Sequence, residues 1–327
     1  MMAQTMLPPA QTLFERAPDL RILVVGDLMI DEWIWGSVSR ISPEAPVPVV
    51  AVTDHSFTLG GAGNVANNLR ALGARVLFAG TVGDDGFGAH VRDLLRAEEV
   101  DDSGVFITRD RPTTRKTRIV AHNQQVVRAD WESTAPLAAA DRRRLASFVA
   151  ERAARCDAVI LSDYAKGLLS REIVEAAQGC ALVLADPKPQ NIGIYAGITC
   201  VAPNVAEAAA MTRSQVAGDA GLEAAGIGLL RLVRCRYAVI TRGEHGMALF
   251  GSDGERLQIP SVARTVYDVS GAGDTVTAVL ALGLAGGVPI EQSMQLANFA
   301  AGVVVEKLGT ATASPQEILA LLAPAAE

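Results

Sequence analysis

The sequence predicts an α/β fold: a three-layer sandwich with a mostly parallel central sheet and helices on both faces, plus a small separate β-sheet. Three observations carry this. Short β-branched runs that are apolar throughout recur along the chain, as strands buried on both faces do. Alanine- and leucine-rich segments of helical length lie between them, and this alternation makes a parallel sheet with crossover helices. Two stretches break the rhythm and carry almost no helical period.

The strands are expected at Arg21–Gly26, Arg75–Gly80, Ala158–Ser162, Ala181–Ala185 and Ala238–Thr241. Helical segments are expected near Asn64–Leu72, Phe87–Glu98, Leu137–Ala153 and Gly221–Leu232. Residues 1–20, with Pro8-Pro9, are expected to be a flexible start, and 21–327 one domain. The irregular stretches are about 33–58 and 113–131, the second a hairpin turning at His122-Asn123-Gln124. Together they predict a small antiparallel sheet projecting from the body, a natural lid. Its edges need cover, so a homodimer through the lid is expected.

Composition narrows the function classes. At 327 residues the chain can bury a large core, and half of it is hydrophobic. The net charge of −7 favours neither nucleic acid nor an anionic membrane as partner. Cys156, Cys180, Cys200 and Cys235 are scattered and form no C-x-x-C pair, which points to reduced thiols in a cytoplasmic protein. No basic stretch followed by an apolar one marks a signal peptide at residues 1–20. The apolar stretch near Val276–Ile290 carries Gly283, Gly286, Gly287 and Pro289 and reads as a buried helix and its exit. No spacing of His55, His90, His122 and His245 makes a metal pair.

The run Asp268-Val269-Ser270-Gly271-Ala272-Gly273-Asp274 is a glycine-rich turn that opens a helix. Such a turn aims unpaired backbone N–H groups and the positive end of the helix at one point, where an anion is stabilised. Asp274 beside it is placed to take a proton from an attacking hydroxyl. An ordinary turn whose acid caps a helix has the same sequence, and the heptapeptide alone leaves both open. A second cluster, Gly60-Gly61-Ala62-Gly63-Asn64, follows a strand-like segment and opens another helix. Its glycines permit close approach of a ligand, and Asn64 can bond a sugar hydroxyl; a tight turn with an Asn cap fits equally. Neither cluster is a G-x-G-x-x-G or a G-x-x-x-x-G-K-[ST] motif.

With both clusters in this order, the chain resembles the ribokinase-type (PfkB) family of carbohydrate kinases. Gly60–Asn68 is similar to that family's N-terminal signature. Asp268–Asp274 is similar to its C-terminal one, with Val269 where Thr is usual. The resemblance runs nearly end to end. Within the family, Gly26–Trp33, Ile41–Val49, Ser162–Gly167 and Asp186-Pro187-Lys188 resemble the members that act on D-glycero-D-manno-heptose 7-phosphate. A stand-alone kinase is the expectation, without the nucleotidyltransferase domain to which that activity is fused in many bacteria.

The resemblance implies ATP-dependent phosphorylation of the anomeric C1 hydroxyl, in ADP-heptose and lipopolysaccharide inner-core synthesis. The alternative is a kinase of another sugar, sugar phosphate or nucleoside. It implies Asp274 as the base, with Gly271, Ala272 and Gly273 stabilising the phosphoryl group. Asp31, Gly60, Gly61 and Asn64 meet the sugar. Asn204, Val205, Ala206 and Glu207 organise Mg²⁺, water and the ATP phosphates, with Glu207 reaching the metal through water. Thr241, Gly243 and Gly246 form the nucleotide loop, and Asn298 lines the adenine pocket. A monovalent cation such as K⁺ is expected near Asp268 and Ser270. The sugar's distal phosphate needs cationic anchors, and Arg115, Lys116, Arg118, Arg128, Lys166 and Lys188 are available, with Lys116, Arg128, Lys166 and Lys188 preferred. A solvated charged strand face is the other reading of some of the six.

Overall fold

The computed structural model describes residues 2–122, 124–263 and 265–323. In chain order, helix α1 (Met2–Arg16) leads into β1 (Arg21–Gly26), and two long strands follow, β2 (Leu28–Ile41) and β3 (Pro48–Gly61). Next come α2 (Ala62–Ala71), β4 (Arg75–Gly83), α3 (Gly86–Ala97) and β5 (Asp101–Thr108). The pair β6 (Thr114–Ala121) and β7 (Gln124–Trp131) precedes α4 (Ala139–Ala153), β8 (Ala158–Ser162), α5 (Arg171–Ala177), β9 (Val183–Asp186) and β10 (Cys200–Val201). Helices α6 (Val205–Thr212) and α7 (Gly218–Val233) are followed by β11 (Tyr237–Thr241), β12 (Met247–Gly251) and β13 (Arg256–Ile259). Three helices close the chain: α8 (Ala272–Ala285), α9 (Ile290–Val305) and α10 (Pro315–Leu322).

The main sheet has the order β13-β12-β11-β10-β9-β8-β1-β4-β5. From β11 to β5 every neighbour is parallel, and only the β11–β12 and β12–β13 pairs are antiparallel. The uninterrupted apolar runs have a direct cause. Ile22 and Val24 of β1 face one core, with Leu13, Val65, Val279 and Met294, while Leu23 and Val25 face the other, with Leu145, Ile173 and Leu229. Strand order reverses at β1, which pairs with β4 on one side and β8 on the other. Ligands of open parallel sheets bind beyond the strands' carboxyl ends at such a switch point.

Two expectations need correction. The flexible start is α1, which buries Met6, Ala10 and Leu13 at helical spacing despite Pro8 and Pro9. Packing of that stripe overrides the local proline cost. The second sheet, β3-β2-β6-β7, is mixed rather than antiparallel, because β2 and β6 pair in parallel. The chain between them passes through β4, α3 and β5, the long crossover a parallel pair requires. Asp31 pairs in register with Lys116, and Lys116 with Asp130, so all three share one face of this sheet. Glu32 is on the other face, bonded to His55 and Thr117. All four cysteines are free.

Candidate active site

Three parallel strands each run out into an aspartate at the same edge: β1 into Asp27, β8 into Asp163, and β9 ends on Asp186. All three are buried. Asp27 accepts the backbone N–H groups of Tyr164 (2.8 Å), Lys166 (3.1 Å) and Leu168 (3.3 Å). Asp163 accepts the N–H of Ala165 (2.7 Å) and the hydroxyl of Tyr195 (2.8 Å). These two carboxylates hold a tight loop in which Ala165 has φ 56° and Gly167 has φ 80°. The loop's product is the position of Tyr164.

Asp274 is in the first turn of α8 and is 5% exposed. Tyr164 Oη donates to its Oδ1 (2.6 Å) and Asn64 Nδ2 to its Oδ2 (2.7 Å). Asn68 supports the same wall, accepting the hydroxyl of Thr275 at 2.8 Å. Burial pushes the pKa of Asp274 up to about 6, against the opposing pull of Tyr164, Asn64 and Lys188. Gly271 caps the helix at φ 79°, and a Cβ there would come within 2.6 Å of Asn64 Nδ2. A side chain at this position would therefore meet both strain and the Asn64 partner of Asp274. Of the expected N–H donors, Ala272 is already turned to the Val269 carbonyl at 3.3 Å, whereas Gly271 and Gly273 line the cavity beside Asp274.

That cavity, about 160 Å³, also brings in Tyr164, Asp186, Lys188, Asn204, Glu207 and Thr241. Asn204 and Glu207 form a reciprocal capping box at the head of α6, so the pair is helix-start chemistry as well as cavity wall. Val205 and Ala206 are the first two residues of that helix. Thr241 bridges to Asn204 across the strands. A larger cavity of about 440 Å³ adjoins it through the shared Thr241 and Gly273. Gly243, Gly246 and Asn298 line it among mostly apolar neighbours such as Ala263, Val276 and Ala301. Asn298 is not idle there: its Nδ2 donates to the Pro260 carbonyl at 2.8 Å.

The preferred cations separate. Lys188 is with the cavity wall, 2.6 Å from Glu207 and 3.7 Å from Asp186. Lys116 and Lys166 converge on Glu132, at 3.4 and 2.7 Å. Arg128 is half exposed and tied to Asp130 at 2.9 Å. Arg118, not among those preferred, is 2.6 Å from Asp31 and lies over the Trp33 ring. Gly60 makes room for that carboxylate, since a Cβ would fall 2.7 Å from Asp31 Oδ2. Gly61 turns the chain at φ 56°. Asp268 accepts the N–H groups of Ser270 and Gly309, both at 2.9 Å, and ties the turn to the loop after α9.

Sequence reading did not single out Tyr164, Asp186, Asp27 or Asp163 as functional. The signal was present: the apolar runs of β1, β8 and β9 each end on, or one residue before, an aspartate.

A buried carboxylate at a helix head, a small cavity lined by glycines and a larger, mostly apolar pocket beside it suit phosphoryl transfer. The chain belongs to the pfkB family of carbohydrate kinases, whose family model matches residues 19–317. As a member it is an ATP-dependent sugar kinase. Its relatives include the bifunctional protein HldE of Geotalea uraniireducens, 46% identical over 315 residues, which cover 95% of this chain and 64% of that protein. HldE of Geobacter sulfurreducens is 44% identical over 317 residues, 95% of this chain and 65% of that one. The chain thus spans somewhat under two thirds of the curated relatives it matches. Arabidopsis thaliana ribokinase, solved with ribose and ATP, superimposes with a TM-score of 0.75 at 20% identity, covering 93% of this chain and 98% of that one. Escherichia coli phosphofructokinase-2 gives 0.77 at 19%, covering 93% and 99%. At such identities these two show the shared fold. Among the described residues no helix is long and apolar enough to cross a membrane.

Such kinases use a divalent metal, and the donor set suits a hard cation. Burial, helped by Glu207, Asp274 and Asp163, pushes Asp186 up to about 8 against the pull of Lys188. Among the described residues no cluster of three or more metal-binding side chains is present. Mg²⁺ is commonly held by one or two carboxylates plus substrate phosphates, and Asp186 and Glu207 meet that need.

Proposed function

We propose that the chain transfers the γ-phosphoryl group of ATP to the C1 hydroxyl of D-glycero-D-manno-heptose 7-phosphate, yielding the 1,7-bisphosphate for ADP-heptose and lipopolysaccharide inner-core synthesis. The observation that carries the chemistry is Asp274, buried at the head of α8 with one donor on each carboxylate oxygen. The donors from Tyr164 and Asn64 fix the carboxylate's orientation. At pH 7 the group is largely ionised and takes the proton as the hydroxyl attacks. The N–H groups of Gly271 and Gly273 face the transferring phosphoryl oxygens, and Lys188 adds a point charge. Mg²⁺ held by Asp186 and Glu207 would neutralise phosphate charge when bound, and a monovalent cation near Asp268 and Ser270 belongs to the same reading. Adenosine occupies the pocket lined by Thr241, Gly243, Gly246 and Asn298.

The acceptor is the finer part of the proposal. Asp31 grips sugar hydroxyls, with Arg118 holding its carboxylate in place. Lys116 and Lys166, gathered by Glu132, are the anchors favoured for the distal phosphate. Arg128 serves at the edge. Stretches of this chain similar to heptose-phosphate kinases support that choice. The second sheet closes as a lid over a cavity of about 650 Å³ lined by Trp33, Trp35, Asp268 and the 308–310 loop. Its exposed Ile41, Val52, Val127 and Trp131 favour a cytoplasmic homodimer joined through the lid.

Incubation with ATP, Mg²⁺ and heptose 7-phosphate tests this, with 1,7-bisphosphate as the expected product. A second reading has one observation in its favour: Lys116, Lys166 and Arg128 already have carboxylate partners. Faster turnover of ribose or a nucleoside than of any phosphorylated sugar would support it.

A further inference from the structure

At the opposite edge of the main sheet, where the parallel strands begin, lies a cavity of about 320 Å³. Arg21, Arg75, Arg152 and Arg155 line it, with Asp101 and Cys156. Arg21 opens β1 and Arg75 opens β4, and the two are direct register partners. Like charges opposite each other on adjacent strands repel. Arg152 and Arg155 come from the end of α4 and the turn beyond it. Among the described residues, neither Arg21, Arg75 nor Arg155 has a carboxylate within 4 Å. Arg152 meets only Glu151, at 3.8 Å, and its Nε is buried without a hydrogen-bond partner. Asp157 is close by, but its Oδ2 is taken by the Arg21 backbone N–H at 2.8 Å.

Four guanidinium groups with so little compensation stand out in a chain of net charge −7. By contrast, Arg92 is paired with Asp102 and Arg118 with Asp31. The cavity is also remote from catalysis. Strand β1 leads from Arg21 to Asp27, six steps of about 3.3 Å, so the two ends are about 20 Å apart.

We propose that this cavity is a second anion site, separate from the kinase centre, that takes a compact phosphate-bearing anion with at least two ionised groups. Guanidinium forks suit phosphate oxygens by bidentate geometry, and spreading two charges over four forks relieves the Arg21–Arg75 repulsion. This inference does not depend on which sugar is phosphorylated.

The test is calorimetric titration of the full chain with inorganic pyrophosphate, the kinase centre first saturated with Mg²⁺ and a non-hydrolysable ATP analogue. One saturable site is expected, weakening as ionic strength rises. Arg155→Ala, in the exposed turn after α4, should weaken it at least tenfold, and Arg75→Gln likewise, with kinase turnover kept within twofold. Sulfate and chloride should bind at least tenfold more weakly. Absence of a saturable site overturns the proposal. So does an affinity untouched by both substitutions, or equal affinity for sulfate and chloride, which marks a general counterion surface.

Discussion

Tyr164 donates its hydroxyl to Oδ1 of Asp274 over 2.6 Å, joining residues 110 positions apart in the chain. The two arrive from different layers, Tyr164 from the loop after β8 and Asp274 from the head of α8. Asp27 and Asp163 hold that loop in place through its backbone N–H groups. A hydrogen bond to the carboxylate favours its ionised form, so it works against the burial that raises the pKa. Tyr164→Phe should therefore move the acid limb of the kcat–pH profile upward from about 6. Turnover at pH 7 should fall roughly tenfold while the KM for ATP changes little, as expected when only a positioned base is perturbed. An unmoved limb would separate Tyr164 from the base.

The raised pKa of Asp274 also predicts a stability signature. Between the ordinary value of 3.8 and about 6, the folded protein binds this proton and the unfolded chain releases it. Stability contributed by the group thus falls as pH rises through that window, by roughly 3 kcal/mol in all, and stays level above it. Asp274→Asn removes the titration. Its stability relative to the parent protein, measured by denaturant unfolding, should grow from pH 4 to pH 6 and then hold constant. A difference independent of pH would contradict the buried, shifted carboxyl.

Gly271→Ala places a methyl group in the left-handed region and 2.6 Å from Asn64 Nδ2. The backbone term alone costs on the order of 1–3 kcal/mol. Displacing Asn64 disturbs one of the two donors to Asp274, and the turn's own N–H groups shift with it. Turnover should drop on the order of 10²–10³-fold, the usual scale for losing preorganised phosphoryl stabilisation. Steady-state kinetics beside a melting curve separates this from simple unfolding.

Arg118→Met should act on the acceptor rather than on ATP. It leaves Asp31 buried without its 2.6 Å partner. The sugar's KM should rise roughly tenfold or more, with the KM for ATP within twofold, because the loss is of binding on one side only. Equal effects on both substrates would remove Asp31 and Arg118 from the sugar site.

Much of this was legible in the sequence, for physical reasons that also mark where legibility ended. Strands such as Arg21–Gly26 and Ala158–Ser162 announce themselves because both faces are buried. The Gly271–Asp274 turn does so because Gly271 takes a left-handed backbone, φ 79°, that favours glycine. By contrast α1 was hidden by Pro8-Pro9, whose local cost is overcome by burying Met6, Ala10 and Leu13. The parallel pairing of β2 with β6 joins residues 85 positions apart, as Asp31 is from Lys116, beyond any local signal. Lys188 and Lys116 look alike in sequence, and only the topology puts one beside Glu207 and the other on the projecting sheet. Tyr164 was read as one letter of a motif, because its partner is a residue that no spacing rule reaches.

The central claim is that Asp274 is the base for phosphoryl transfer to a sugar phosphate. Single-turnover kinetics with ATP, Mg²⁺ and heptose 7-phosphate, product read by phosphorus NMR, tests it most directly. The parent protein should form the 1,7-bisphosphate, and Asp274→Asn should bind ATP normally yet form it at least about 10²-fold more slowly, the scale of a lost general base. Product formation by Asp274→Asn within tenfold of the parent rate would contradict the claim.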